Sequence, residues 1–232
     1  MSRNSTCEDG EDGPGQFASP PCFMHELDPS YLGMPADPQQ ARDVARWRKC
    51  ERERLIAARL AMPADERLEH AARMANDLDA FIATAPETII SVYWPVRGEP
   101  DLRPWMTALC KKGVRIALPA VAGEGLPLLF REWHSGAQMK PGFGYIPFPA
   151  GGASVLPTIL VAPLVGFDSA GYGLGYGGGF LDRTLAHLRP RPLAIGVGYP
   201  IGLISTIYPQ AHDIPMDWIV TGSGALIRRR GL

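Results

Sequence analysis

Cysteine is scarce in this sequence: Cys7, Cys22, Cys50 and Cys110 are the only four in 232 residues, and no two form a CxxC pair. That spacing excludes the usual zinc and thioredoxin-like motifs, which need closely set thiols. The thiols are also too sparse for a secreted disulfide framework. Long apolar runs are missing as well, since no stretch approaches the roughly 18 residues that a membrane span requires. The N-terminal segment CEDGEDGPG has neither the charged start nor the apolar middle of a signal peptide. Charge of one sign is not in excess, with 23 Lys and Arg against 24 Asp and Glu. Nothing therefore pulls the chain as a whole toward nucleic acid or an anionic membrane. These absences predict a cytoplasmic protein without nucleic-acid or membrane partners, taken here as a monomer. Any anion binding must come from local features.

Apolar residues make up 46% of the chain, enough to build a core without disulfide or metal staples. Residues 1–40 are rich in Gly, Pro, Asp and Glu and carry no helical or strand period, which predicts a flexible acidic leader. The less polar piece CFMHELDPSYLG within it is a candidate for docking on the domain. From Ala41 to Ala83 glycine disappears and Pro63 is the only proline, so two helices are expected, with a break at MPADER. Beyond them the pattern alternates. TIISVYW, VRIALPAV, LPLLFREW, TILVAPLVGF, PLAIGVGY and WIVT are apolar runs of strand type, and TILVAPLVGF is the most apolar. LRPWMTALCKKG and FLDRTLAHL have helical character. The sum is one α/β domain over 41–232, a layered sandwich with a central, mostly parallel sheet flanked by helices. Sugar-phosphate isomerases and CoA-transferases share that layering.

Six glycines fall within the nine residues from Gly171 to Gly179, directly after the most apolar strand and before a helix. Open α/β sheets bind ligands at that place, because glycines let backbone N–H groups approach an anion and the helix N-terminus adds positive potential. Gly173, Gly175 and Gly178 satisfy the dinucleotide pattern GxGxxG. That reading also needs an acidic residue about 20 positions on to hold a ribose, and none lies between Arg183 and His212. A Walker loop fails too, since no Gly-Lys-Ser/Thr follows.

The segment from Leu160 to Arg183, LVAPLVGFDSAGYGLGYGGGFLDR, resembles the signature of 5-formyltetrahydrofolate cyclo-ligases, also called methenyltetrahydrofolate synthetases. Three further stretches support the likeness: the basic helix RWRKCERERLIAAR, the strand end YWPVRGEPDL, and His212-Asp213 ahead of a last strand. The resemblance implies ATP- and Mg²⁺-dependent conversion of 5-formyltetrahydrofolate, a reduced formyl-folate, to 5,10-methenyltetrahydrofolate, with release of ADP and phosphate. It assigns ATP to Arg48, Lys49 and Arg52 and to the loop residues Gly173, Leu174, Gly175, Tyr176, Gly177, Gly178, Gly179, Phe180 and Leu181. Arg183 takes the catalytic role. The folate falls to Glu99 and Trp94, and the metal to Asp182 and Asp213.

Those roles agree with elementary chemistry. Phosphoryl transfer is chiefly positioning and charge neutralisation. Arg48, Arg52 and Arg59 share one helix face. A carboxylate after Gly98 suits paired N–H donors, Trp94 offers a ring to stack on, and Mg²⁺ prefers one or two carboxylates with phosphate and water. Asp168 is read as a structural cap of the glycine turn. The chain departs from the family pattern at Gly173, where an arginine is expected, and at Phe180-Leu181, where a Tyr-Tyr pair is expected. A glutamine usual before His212-Asp213 is missing from GYPIGLISTIYP. The expectation is that Gly173 leaves the triphosphate under-neutralised. The alternatives are a relative that binds folate or nucleotide without efficient turnover and, on fold analogy alone, an isomerase or CoA-transferase.

Overall fold

The computed structural model describes residues 38–224 and 226–229. All but the last three residues of the expected leader, including CFMHELDPSYLG, lie outside them. Two helices open the described chain, α1 (Pro38–Ala61) and α2 (Ala64–Phe81). They part at Met62-Pro63, where proline ends one helix and caps the next. α3 (Arg103–Lys111) stops at Gly113, whose φ of 84° suits a helix exit. α4 (Phe180–His187) follows the glycine-rich loop.

The strands are β1 (Ile89–Ser91), β2 (Arg115–Val121), β3 (Leu128–Trp133), β4 (Met139–Pro141), β5 (Pro147–Pro149), β6 (Ile159–Pro163), β7 (Gly166–Phe167), β8 (Gly173–Leu174), β9 (Leu193–Val197), β10 (Trp218–Val220) and β11 (Leu226–Arg228). Seven of them form the main sheet in the order β11-β10-β9-β6-β1-β2-β3. The five inner strands run parallel and only the two edge pairs are antiparallel. β4 and β5 form one small hairpin, and β7 and β8 another. The apolar run TILVAPLVGF is therefore not one strand. It leaves the sheet after Pro163, and Gly166-Phe167 joins the second hairpin.

Alternation along the inner strands divides the core. Ile159 and Val161 of β6 pack with Met74 and Leu78 of α2 and with Trp105, Met106 and Leu109 of α3. Leu160 and Ala162 pack on the opposite face with Leu185 of α4. The sheet is thus covered on both sides, as continuous apolar parallel strands require. A third cluster joins Leu55 and Ile56 of α1 to Val165, Leu174 and Ile207, so α1 is fastened across the carboxyl end of the sheet.

Sheet order also locates the crevice. From β1 the chain runs outward through β2 and β3, then returns to β6 on the other side of β1 and continues outward to β9 and β10. Ligands of open α/β sheets bind where the order reverses, at the carboxyl ends of the two diverging strands. Here those ends lead to the Trp94–Glu99 turn and to the glycine-rich segment.

Candidate active site at the sheet reversal

Beyond β1 the chain turns sharply at Arg97 and Gly98, which have φ of 48° and 76°. The turn delivers Glu99, whose Oε2 accepts from Val96 N at 2.9 Å. Glu99 is only 6% exposed. Burial pushes its carboxyl above the usual range, against the opposing pull of the Val96 N–H, the Tyr176 hydroxyl and the Arg59 charge.

Beyond β6 the hairpin of β7 and β8 carries Asp168, which is buried. Its Oδ1 accepts from Ala170 N and Tyr172 N and its Oδ2 from Ile207 N, so it caps the turn as expected and also ties down the 207 segment. The loop 175–179 then reaches back to the first strand. The Tyr176 hydroxyl donates to Glu99 Oε1 at 2.9 Å, and Arg59 Nη2 donates to the Tyr176 oxygen at 2.8 Å. Two segments 77 residues apart in sequence thus meet through one hydroxyl.

Helix α1 supplies the cations. Arg48, Arg52 and Arg59 all turn to the crevice, each to a different loop. Arg52 Nε donates to Gly175 O at 2.5 Å, and burial together with the neighbouring Arg48 charge lowers its pKa. Arg59 Nε donates to Arg97 O at 3.0 Å, while its Nη1 is buried with no partner among the described residues. Arg183 folds back onto Gly178 O, lies over the Phe180 ring at 5.4 Å, and keeps a buried Nε without such a partner.

Backbone conformation favours glycine in the loop: Gly177 and Gly179 have φ of 91° and 62°. A Cβ at 177 would meet the Arg52 guanidinium at a 3.4 Å contact, and one at 179 would stand 2.8 Å from Arg183 Nη1. Two guanidinium groups therefore flank a bare backbone at the start of α4, an arrangement that suits a phosphate chain.

The carboxylates assigned to a metal behave differently from each other. Asp182 Oδ1 accepts from Ile214 N at 2.9 Å, which leaves Oδ2 for a ligand. Burial raises its pKa, and the Asp213 charge adds to that. A cation between the two acids would relieve both effects, so the pair fits Mg²⁺ once phosphate oxygens complete the shell. Asp213, however, is bound by Arg48 at 2.5 Å and 3.2 Å and by Gln210 N at 2.6 Å. Among the described residues no group of three or more His, Cys, Asp or Glu could hold a metal without such help.

The sequence matches a known family along most of the chain. The family model for the 5-formyltetrahydrofolate cyclo-ligase family covers residues 44–222. The chain belongs to that family. The 5-formyltetrahydrofolate cyclo-ligase of Escherichia coli K12 is 29% identical over 177 residues, which cover 71% of this chain and 94% of that enzyme. The cyclo-ligase of Mycolicibacterium smegmatis is 28% identical over 152 residues, covering 61% of this chain and 77% of its own. The solution structure of the 5,10-methenyltetrahydrofolate synthetase of Aquifex aeolicus superimposes with a TM-score of 0.69 at 28% identity, covering 80% of this chain and 94% of that one. No observation favours a relative without turnover.

Within this member of the family the predicted residues divide into groups. Arg52, Gly175, Tyr176, Gly177, Gly178, Gly179, Phe180, Arg183 and Glu99 lie together around the loop. Lys49 is exposed on α1. Trp94 is half-buried, with the Arg103 guanidinium over its ring at 5.2 Å. Leu181 packs into the core cluster of α4. Gly173 and Leu174 form β8, and the Leu174 side chain is buried beneath α1. A Cβ at Gly173 would stand 2.6 Å from Leu164 Cδ2, so a side chain there would point into packing rather than along the loop rim. This direction argues against a phosphate-facing charge at position 173, which ATP binding by Gly173→Arg tests. Arg59 was legible only as a third cation on the α1 face. Tyr199, which follows β9 and borders Glu99, carried no signal in the sequence.

Proposed function

We infer that the protein converts 5-formyltetrahydrofolate to 5,10-methenyltetrahydrofolate at the sheet reversal, driven by ATP. The observation that carries this reading is the Tyr176–Glu99 hydrogen bond, which joins a phosphate-type loop to a buried carboxylate in one crevice. Glu99 is the acceptor for the paired N–H donors of the folate ring, and Trp94 borders that ring. Arg52, Arg183 and the backbone of 175–179 receive the triphosphate, with Arg48 and Lys49 at its approach.

The formyl oxygen attacks the γ-phosphorus, and the bond to the β–γ bridging oxygen breaks to release ADP. N10 then adds to the formyl carbon and gives up its proton. That addition closes the ring; the carbon–oxygen bond to the phosphorylated oxygen then breaks, phosphate leaves, and the methenyl double bond forms. Arg183, with an unmet buried N–H at the loop, neutralises charge on the moving phosphoryl group. Asp182 and Asp213 would hold Mg²⁺, which would supply charge neutralisation for phosphoryl transfer.

Purified protein given ATP, Mg²⁺ and 5-formyltetrahydrofolate is expected to form the methenyl product, ADP and phosphate in equal amounts. Product formed without ATP, or ATP consumed without product, would contradict the reading.

A further inference from the structure

Beside Glu99 lies a cavity of about 220 Å³ lined by Ala64, Arg67, Leu68, Glu99, Asp101 and Tyr199. It is smaller than the roughly 300–1,000 Å³ that whole drug-sized ligands occupy, so it accommodates a ring system rather than an entire folate. Most polar groups on its wall are already engaged. Asp101 is bound by Arg103 at 2.6 Å and 2.8 Å, and Arg67 donates to Met62 O. Each Glu99 oxygen accepts one protein hydrogen bond and keeps a second lone pair.

Tyr199 is different. It is 3% exposed and packed edge-on against His70, and its hydroxyl is buried with no partner among the described residues. Nearby Tyr93, equally deep, donates to Pro100 O at 2.7 Å. An unmet buried hydroxyl works against the fold and calls for a ligand or function that satisfies it. Burial pushes its phenol up to about 12, so it remains a donor at neutral pH.

The pyrimidinone edge of a reduced pteridine presents, in order, the 2-amino group, N3–H and the 4-oxo oxygen, two donors and then an acceptor. Glu99 meets the two donors, and the next position requires a donor. We propose that Tyr199 is a specificity-determining contact whose hydroxyl donates to the 4-oxo oxygen of the folate ring. This rests on the placement of folate at Glu99.

Equilibrium titration without ATP tests it, using 5-formyltetrahydrofolate and an analogue with a methylene in place of the C4 carbonyl, which keeps N3–H. Tyr199→Phe is expected to weaken the first roughly five- to fifteen-fold, to leave the analogue's affinity unchanged, and not to lower the melting temperature. Unchanged 5-formyltetrahydrofolate binding, equal losses for both ligands, or a lowered melting temperature would each overturn the proposal. Glu99→Gln separates the two levels. If it weakens binding while Tyr199→Phe does not, only the Tyr199 assignment fails. If it too leaves binding unchanged, the folate placement itself fails.

Discussion

Glu99 sits at the meeting point of two opposing demands. The fold buries its carboxyl, which favours the proton, whereas the paired N–H donors of the proposed folate pose would favour the anion. Because its pKa is raised in the folded protein, its contribution to stability is full below the unfolded carboxyl range and is lost as pH rises through the folded value. Glu99→Gln removes that loss. The melting temperature of the variant should therefore gain on the wild type as pH rises from the unfolded carboxyl range, about 4, through the raised folded value, and hold level above it. The same substitution should weaken folate binding roughly ten-fold or more, because a charge-assisted pair of bonds is lost. A melting difference that does not change with pH would contradict the raised carboxyl. Arg59 explains how the anion is tolerated, since its charge acts on Glu99 and its Nη2 holds the Tyr176 hydroxyl in place.

At the scale of elements, α1 is the clamp of the site and the β7–β8 hairpin is its anvil. Leu55 and Ile56 bury one side of the helix against Val165, Leu174 and Ile207, and the arginines on the crevice side then reach three loops. The hairpin tolerates little bulk. Leu164 is buried, with Cδ2 where a Cβ of residue 173 would stand and Cδ1 where one of residue 196 would stand. Gly173→Arg should consequently destabilise the protein by about 1–3 kcal/mol through overpacking, without tightening ATP. A variant that melts with the wild type and binds ATP ten-fold better would show that position 173 faces the phosphates.

These elements also mark what could be read beforehand. β6, β9 and α4 announce themselves by apolar runs and helical period, and the glycine cluster by its place between them. The β4–β5 hairpin and β11 are three-residue strands among prolines, glycines and arginines, too short for a period to form. The inward aim of Gly173 and the unmet hydroxyl of Tyr199 depend on neighbours from distant segments, which no local pattern encodes.

The whole molecule is organised by one reversal of strand order. β1 and β6 are adjacent and parallel, yet the chain departs from them in opposite directions, so their carboxyl ends open between diverging segments. One of those segments carries the acid and the other the glycine loop, and α1 closes over both. Among the described residues no helix is long and apolar enough to cross a membrane. The family match extends over nearly all of this framework, from residue 44 to residue 222. The central claim is that a nucleotide half and a folate half share this crevice and that the chemistry occurs between them. It is tested most directly by initial rates of methenyl absorbance in the wild type, Arg52→Gln and Glu99→Gln, with ATP and folate varied in turn. The account predicts ATP-dependent product in the wild type, a KM for ATP raised roughly ten-fold or more in Arg52→Gln, and a KM for folate raised comparably in Glu99→Gln. No ATP-dependent product in the wild type, or both variants raising the same KM, would contradict it.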